Sequence, residues 1–207
     1  HFTADKNEDN ADGTYDNKLL SWSKDFAGVD EFILDLRYNN GGLITCAQLL
    51  ATILAPSDAL GRIFCIEEFN GKPWIQKKSN LYYSSNLIKS GINLNLKTIY
   101  VLVTDMTASA SELVINGLKP YANVILIGTK TEGKNVGSIT IEDESKYDWY
   151  MQPIVCKLYN AEDKSDYEDG MTVNYELDEA RLQNMDSFLE LGDTNESLLN
   201  AALSIID

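Results

Sequence analysis

Three short apolar runs constrain this chain most, because each is long enough for a buried strand and too short for a helix of ordinary length. They are Glu31–Leu36, Thr98–Val103 and Asn123–Ile127. Apolar runs of this length are typical of strands covered on both faces, as in a parallel sheet. Helical patterns alternate with them, so the order of elements predicts a mixed α/β (α+β) fold in which helices pack on the sheet.

The rest of the chain predicts further helices and strands. Helices are expected over Tyr15–Phe26, Leu43–Leu54, Ser109–Leu118 and Asn195–Ile206, the last of them preceded by a capping box with Asp193 as the cap. Strands are expected over Arg62–Phe69, near Trp74 after the Asn70-Gly71 turn, over Ser138–Glu142 and over Tyr150–Leu158. Residues 1–13, 78–97 and 160–170 are expected to be irregular. The 207 residues contain no repeat and no linker, so we expect one domain over residues 1–207.

Charge and composition exclude several classes of function. The formal net charge of −15 argues against a nucleic-acid partner, because phosphate contacts need clustered cations. No apolar run approaches the roughly 20 residues of a membrane helix, so no membrane insertion is expected. His1 is the one histidine, which argues against a Ser-His-Asp triad and a multi-histidine metal site. Cys46, Cys65 and Cys156 form no CxxC pair and are expected to be small buried residues rather than metal ligands.

The segment VLVTDMTASASE (101–112) places a serine where a strand leads into a helix. Ser109 would lie among the unpaired N–H groups of the helix N-terminus, which stabilise a developing oxyanion. This position suits a nucleophilic serine. The same residues, Ser109 and Glu112, also fit a plain capping box.

The segment IGTKTEGKNVG (127–137) places Lys134 in a loop with three glycines, Gly128, Gly133 and Gly137. It nearly matches a phosphate-binding P-loop, but Asn135 replaces the hydroxyl residue and a strand, not a helix, is expected to follow. A lysine in a partly desolvated site can act as a base near neutral pH. The alternative is a solvated loop lysine.

The segment FILDLRYNNGG (32–42) ends a strand in paired glycines ahead of a helix. Gly41 and Gly42 can present backbone N–H groups to an anion. A tight connection stabilised by an Arg37 ion pair explains the same residues equally well.

Together and in this order, the three segments resemble the C-terminal processing, or tail-specific, serine peptidases. That family uses a Ser–Lys dyad, and the matching residues here are Ser109 and Lys134, at the separation that the family shows. The resemblance implies a Clp/crotonase-like fold, a curved mixed β-sheet with packed helices. It also explains how a serine hydrolase could work without a usable histidine, since lysine is a known alternative base.

The resemblance implies a role for each remaining site residue. Lys134 would take the Ser109 proton, and the backbone N–H groups of Ala110 and of Gly41 or Gly42 would bind the oxyanion. Glu112 matches an acidic family position near the dyad. Ser138 stands where many members carry a glutamine that completes the site. No metal and no organic cofactor is expected, because Ser–Lys acyl transfer needs none.

The resemblance further implies a peptide or protein substrate, cleaved near C-terminal tails, and a location outside the cytoplasm, in the periplasm or cell envelope. Many members place a PDZ-like domain before the core, and we expect this chain to be a catalytic core truncated at its N-terminus, with no such domain. Two alternatives remain: a non-catalytic peptide- or ligand-binding relative on the same fold, and an acyl-CoA enzyme of the crotonase type. The sequence does not indicate an oligomeric state.

Overall fold

The computed structural model describes residues 2, 14–71, 77–142, 149–181 and 189–206, which form four α-helices and ten β-strands. The helices are α1 (Thr14–Asp25), α2 (Ile44–Leu54), α3 (Ala110–Leu118) and α4 (Ser197–Ile206). The strands are β1 (Ile33–Asp35), β2 (Ile63–Phe69), β3 (Lys78–Tyr82), β4 (Thr98–Val103), β5 (Asn123–Gly128), β6 (Val136–Ser138), β7 (Ile141–Glu142), β8 (Tyr150–Met151), β9 (Ile154–Tyr159) and β10 (Tyr175–Glu176). Short 3-10 turns cover Ser57–Ala59 and Glu179–Arg181.

The three apolar runs form three of the four strands of a parallel sheet, as predicted. Its strand order is β1-β4-β5-β10, and every neighbouring pair is parallel. Val101 of β4 lies opposite Leu34 of β1 and Leu126 of β5, which fixes the register of the first three strands. The carboxyl ends of β1, β4 and β5 therefore meet at one edge, where the three candidate segments continue.

The remaining long strands form a separate antiparallel sheet in the order β3-β2-β9-β6, and β7 pairs with β8 in a small hairpin. Parallel pairing is thus confined to the first sheet and antiparallel pairing to the other two. Strand β6 is at the edge of the antiparallel sheet and follows directly after the Lys134 loop.

Helices cover both faces of the parallel sheet because its strands are apolar on both sides. On one face, Ile99, Val101 and Val103 pack with α2 and α3 in the main core, to which Phe64 and Cys65 of the antiparallel sheet also belong. On the other face, α4 buries Leu198 and Ala202 in a cluster with Tyr100, Leu102 and Ile127. The mixed α/β architecture with packed helices is confirmed.

Arg37 connects the end of β1 to the start of α4. Its guanidinium is 2% exposed and pairs with Asp35 at 2.7 Å, Glu196 at 2.9 Å and Glu179 at 3.0 Å. The predicted ion pair of Arg37 is therefore present. Glu196 also accepts hydrogen bonds from the backbone of Leu198 and Leu199, so Glu196 rather than Asp193 caps α4.

Some local predictions were wrong. Residues 78–97 were expected to be irregular, but Lys78–Tyr82 forms β3. Its backbone hydrogen bonds to β2 stabilise the strand although its side chains are mostly polar. The strands expected over Ser138–Glu142 and Tyr150–Leu158 are each interrupted, the second at Gln152 and Pro153. The strand expected near Trp74 lies outside the described residues. Phe2, in the segment expected to be irregular, is buried and pairs with Gly42 in parallel.

The three cysteines are buried and form no disulfide with one another, which agrees with the sequence prediction. Burial raises the pKa of the Cys65 and Cys156 thiols, so both are inert at neutral pH. No helix within the described residues is long and apolar enough to cross a membrane.

Candidate active site

Ser109 lies between β4 and α3 in a backbone conformation that is unusual for a residue with a side chain. Its φ is 57° and its ψ is −117°, immediately before the first residue of α3. Strained φ/ψ angles of this kind cost about 1–3 kcal/mol and persist where the surrounding structure enforces them. Ser109 is half-buried, and its place at a helix N-terminus gives it the neighbouring N–H groups that the sequence predicted.

Hydrogen bonds between the two loops enforce this conformation. Thr107 Oγ1 donates to the carbonyl of Leu36 at 2.8 Å, and Ser111 Oγ donates to the carbonyl of Asn39 at 2.7 Å. The N–H of Ala108 donates to the same Asn39 carbonyl at 3.3 Å. The segment after β1 and the segment after β4 therefore form one unit, with Ser109 between these bonds.

Gly41 is in contact with Ser109, and a side chain has no room there. A Cβ at Gly41 would lie 2.7 Å from Ser109 Cβ and 2.9 Å from the Ala110 nitrogen, and its φ of +102° also favours glycine. The N–H of Gly41 donates to Asn39 Oδ1 at 3.1 Å. Gly41 therefore provides space beside the serine, while its own N–H is already used.

Among the described residues, Gly42 and Ala110 have backbone N–H groups that are free to bind a substrate oxygen. In the described part of the chain, neither N–H has a backbone or side-chain acceptor, and both residues line the cavity that contains Ser109. Phe2 pairs alongside without using the Gly42 N–H, since Phe2 bonds to the Gly41 carbonyl and to the Leu43 N–H. Gly42 is the better placed of the two predicted glycine donors.

Glu112 accepts hydrogen bonds from both loops of the site. It is fully buried in the first turn of α3 and accepts four hydrogen bonds. Oε1 accepts from Thr131 Oγ1 at 2.6 Å and from the Gly133 N–H at 2.7 Å, while Oε2 accepts from the N–H groups of Ser109 at 2.9 Å and Lys134 at 2.8 Å. One carboxylate therefore ties the serine loop to the lysine loop. The predicted capping contact to Ser109 is present and is half of a wider connection.

The acidic segment 160–170 packs against the loop that carries Lys134, here called the lysine loop. Asn135 Nδ2 donates to the carbonyl of Ser165 at 2.7 Å, and a Cβ at Gly133 would lie 2.5 Å from the nitrogen of Gly170. Met171 N–H donates to Thr131 Oγ1 at 2.8 Å, next to Glu112. These contacts fix the backbone on both sides of Lys134.

The side chain of Lys134 is exposed, which differs from the desolvated lysine that the sequence suggested. Its Nζ makes no salt bridge with any carboxylate of the described residues. Strand β6 follows Lys134 directly, so the near match to a P-loop lacks the helix that a phosphate site requires.

A cavity of about 770 Å³ brings these residues together. Ser109, Ala110, Gly42, Lys134 and Ser138 line it, whereas Gly41 and Glu112 lie behind the lining. The lining residues that sequence reasoning missed include Glu67 and Gln152. Gln152 carries no sequence signal, but Glu67 interrupts the apolar side of β2, and that interruption is visible in the sequence. No group of three or more metal-ligating side chains occurs among the described residues.

The model of peptidase family S41 matches residues 5–176 of this chain. Among curated proteins, probable CtpA-like serine proteases are similar: that of Staphylococcus haemolyticus is 29% identical over 141 residues, and that of Staphylococcus aureus strain COL is 30% identical over 141 residues. Each match covers 68% of this chain and 26% of the relative. The chain thus spans about a quarter of the length of these relatives.

Solved structures show the same fold. A crystal structure of an S41 protease candidate from Bacteroides fragilis NCTC 9343 superposes with a TM-score of 0.91 at 42% identity, covering 99% of this chain and 52% of that one. A photosystem II D1 C-terminal processing protease superposes with a TM-score of 0.51 at 21% identity, covering 86% of this chain and 41% of that one. The second likeness concerns the fold alone.

Proposed function

This chain belongs to peptidase family S41, and from that premise we propose that it carries the catalytic centre of a serine endopeptidase of the C-terminal processing type. Ser109 is the nucleophile and Lys134 is the general base. The observation that carries the proposal is the shared acceptor Glu112 Oε2, which holds the backbone of both residues at one wall of the same cavity.

The oxyanion is bound by the backbone. A substrate carbonyl placed over Ser109 meets the N–H groups of Ala110 and Gly42, which are unused in the described chain and line the cavity. The N-terminus of α3 adds its partial positive charge at the same point. Gly41 serves by leaving room for Ser109.

Lys134 becomes a base when substrate covers it. A peptide bound in the cavity excludes water from Nζ, and desolvation disfavours the ammonium form. The absence of a carboxylate partner among the described residues supports the same change. Ser138, four residues further along and in the same cavity, supplies a hydroxyl that can accept a hydrogen bond from Nζ.

The reaction proceeds in two acyl-transfer steps. Ser109 Oγ attacks the scissile carbonyl carbon while its proton moves to neutral Lys134. The tetrahedral intermediate collapses, and the leaving amine takes that proton, which leaves Ser109 esterified. Water then attacks the ester carbonyl and gives a proton to Lys134. The second tetrahedral intermediate collapses to the carboxylic acid product, and Lys134 returns the proton to Ser109 Oγ. No step needs a metal or an organic cofactor.

The substrate is a peptide or protein, and the C-terminal tails of proteins are the class that the processing type implies. A location outside the cytoplasm, in the periplasm or cell envelope, belongs to the same proposal. A non-catalytic peptide-binding relative is the second candidate. The exposed Lys134, and the short Ser138 where many relatives carry glutamine, favour it.

Covalent labelling tests the proposal without knowledge of the natural substrate. The chain is incubated with a small fluorophosphonate, which reacts with an activated serine, and the adduct is measured by intact mass from pH 6 to 10. We expect one adduct on the wild type and none on Ser109→Ala. Lys134→Ala should slow labelling at least about 100-fold, since general-base catalysis contributes a factor of this order.

Lys130→Ala is the matched control, because Lys130 is another exposed lysine of the same loop. It should label like the wild type. The labelling rate should rise along a single limb as pH increases, since deprotonation of Lys134 creates the base. A folded wild type that takes no adduct at any pH overturns the catalytic proposal and favours the binding relative.

A further inference from the structure

One carboxylate lies on the core-facing side of the antiparallel sheet. Side chains alternate along β2, so Cys65, Glu67 and Phe69 share one face. Across the ladder to β9, Glu67 lies opposite Leu158 and Phe69 lies opposite Cys156. Cys65, Cys156 and Leu158 are buried. Glu67 therefore occupies a position on a face of the sheet where the side chains of β2 and β9 are otherwise apolar.

The charge of Glu67 is not balanced within the described chain. Glu67 is half-buried, and it forms no ion pair with a lysine or arginine of the described residues. Burial raises the pKa of Glu67 above its ordinary value, and a hydrogen bond with the Ser79 side chain opposes the rise only in part. The nearby lysines Lys78 and Lys157 are both in register with Glu68, whose side chain points to the other face of the sheet.

Glu67 faces the candidate active site. It lines the same cavity as Ser109 and Lys134, and the only ionisable side chains of that lining, within the described residues, are Glu67 and Lys134. The N–H of Leu158 donates to the carbonyl of Asn135 at 2.9 Å, so β9 lies between β2 and the residue after Lys134. Glu67 is therefore about two strand spacings, roughly 10 Å, from the lysine loop. Because Ser109 and Glu67 line the same cavity, a long side chain of a peptide bound at Ser109 can extend towards Glu67.

We propose that Glu67 determines substrate specificity by receiving the cationic side chain of a lysine or arginine in the bound peptide. This inference rests on the proposed peptidase function and adds a substrate class to it. An apolar side chain at the same place would exclude water from the Glu67 carboxylate without balancing its charge, which is costly. The net charge of −15 adds a long-range attraction for cationic segments.

Two matched covalent probes test the inference. Both are peptidyl diphenyl phosphonates, in which Ser109 Oγ bonds to phosphorus, a phenoxide leaves and the serine proton goes to Lys134. One probe carries lysine and the other carries norleucine, which has the same carbon chain without the ammonium group. We expect the lysine probe to label Ser109 at least about 10-fold faster, and Glu67→Gln to bring the two rates together.

Glu68→Gln is the matched control, because it makes the same change one residue along the strand on the half-exposed outer face, where Glu68 pairs with Lys78 at 3.9 Å. It should keep the full preference for lysine. Equal labelling of the wild type by both probes overturns the role of Glu67 and leaves the peptidase proposal standing. Labelling by neither probe, nor by the fluorophosphonate, overturns both. If Glu67→Gln does not fold, the ratio of the two rates on the wild type still decides between these outcomes.

Discussion

The backbone nitrogens of Ser109 and Lys134 share one hydrogen-bond acceptor, Glu112 Oε2, at 2.9 and 2.8 Å. The two nitrogens cannot be farther apart than the sum of those distances, although 24 residues, including the whole of α3 and β5, lie between them in the chain. A buried carboxylate with four donors is stabilised without a cation, because charge-assisted hydrogen bonds replace its hydration. Glu112 is thus a positioning residue for both members of the proposed dyad.

Replacing Glu112 by glutamine should damage stability and labelling together. The amide NH2 group would face N–H donors where an oxygen now accepts two hydrogen bonds, so buried donors lose their acceptor. We expect the free energy of unfolding to fall by about 2–4 kcal/mol, measured by urea denaturation. Fluorophosphonate labelling should slow at least about 10-fold under conditions where the variant is still folded, since both loops shift.

Glu132→Gln serves as its control, because Glu132 is exposed in the same loop. Its stability should change by less than about 0.5 kcal/mol. Equal stability of Glu112→Gln and Glu132→Gln would contradict the role assigned to the buried carboxylate.

Replacing Gly41 by alanine should abolish labelling because the new Cβ would clash with Ser109 and Ala110. Gly61→Ala separates this clash from backbone strain, since Gly61 also has a positive φ, +83°, but no atom lies within 4 Å of the place that its Cβ would take. We expect Gly61→Ala to cost about 1–2 kcal/mol and to label normally. Gly41→Ala should cost about 1–3 kcal/mol more and should not label. Normal labelling of Gly41→Ala would refute the contact.

Replacing Arg37 by methionine should be among the most destabilising single changes in the described chain. Three carboxylates, those of Asp35, Glu179 and Glu196, would lose their shared cation at a buried site. We expect a loss of about 3–5 kcal/mol at neutral pH, read from chemical denaturation. Arg62→Met, which removes an exposed guanidinium over the Tyr121 ring, should cost about 1 kcal/mol or less.

The ionisation of Glu67 should make stability depend on pH. Its folded-state pKa is raised above the ordinary 4.5, so the folded state binds the proton more tightly than the unfolded state does. Stability from this group is fully present below pH 4.5 and is lost as pH rises through the folded-state pKa. Glu67→Gln should therefore be more stable than the wild type at pH 7, by a margin that disappears near pH 4. A margin that is independent of pH would contradict this assignment.

Much of the fold follows from local pattern. The apolar runs predicted β1, β4 and β5, and the helical spacing predicted α2 and α3 to within a residue or two, because burial on two faces leaves little choice of side chain. Strand β3 could not be predicted, since its sequence KSNLY is polar and it exists through backbone pairing with β2. Glu196 replaced Asp193 as the cap of α4 because Arg37, distant in sequence, fixes its carboxylate.

The sequence by itself determined the family, the proposed nucleophile and base, and the order of the elements that carry them, since these depend on residue types at fixed positions along the chain. The tertiary structure decided how the three segments meet. It gave the Gly41 N–H an acceptor and left the Gly42 N–H without one among the described residues, and it left Lys134 exposed. It also placed Glu112 between the serine and lysine loops and Glu67 in the lining of the cavity. Each of these depends on a contact between segments distant in sequence, where backbone pairing and buried hydrogen bonds, rather than local preference, set the position of a group.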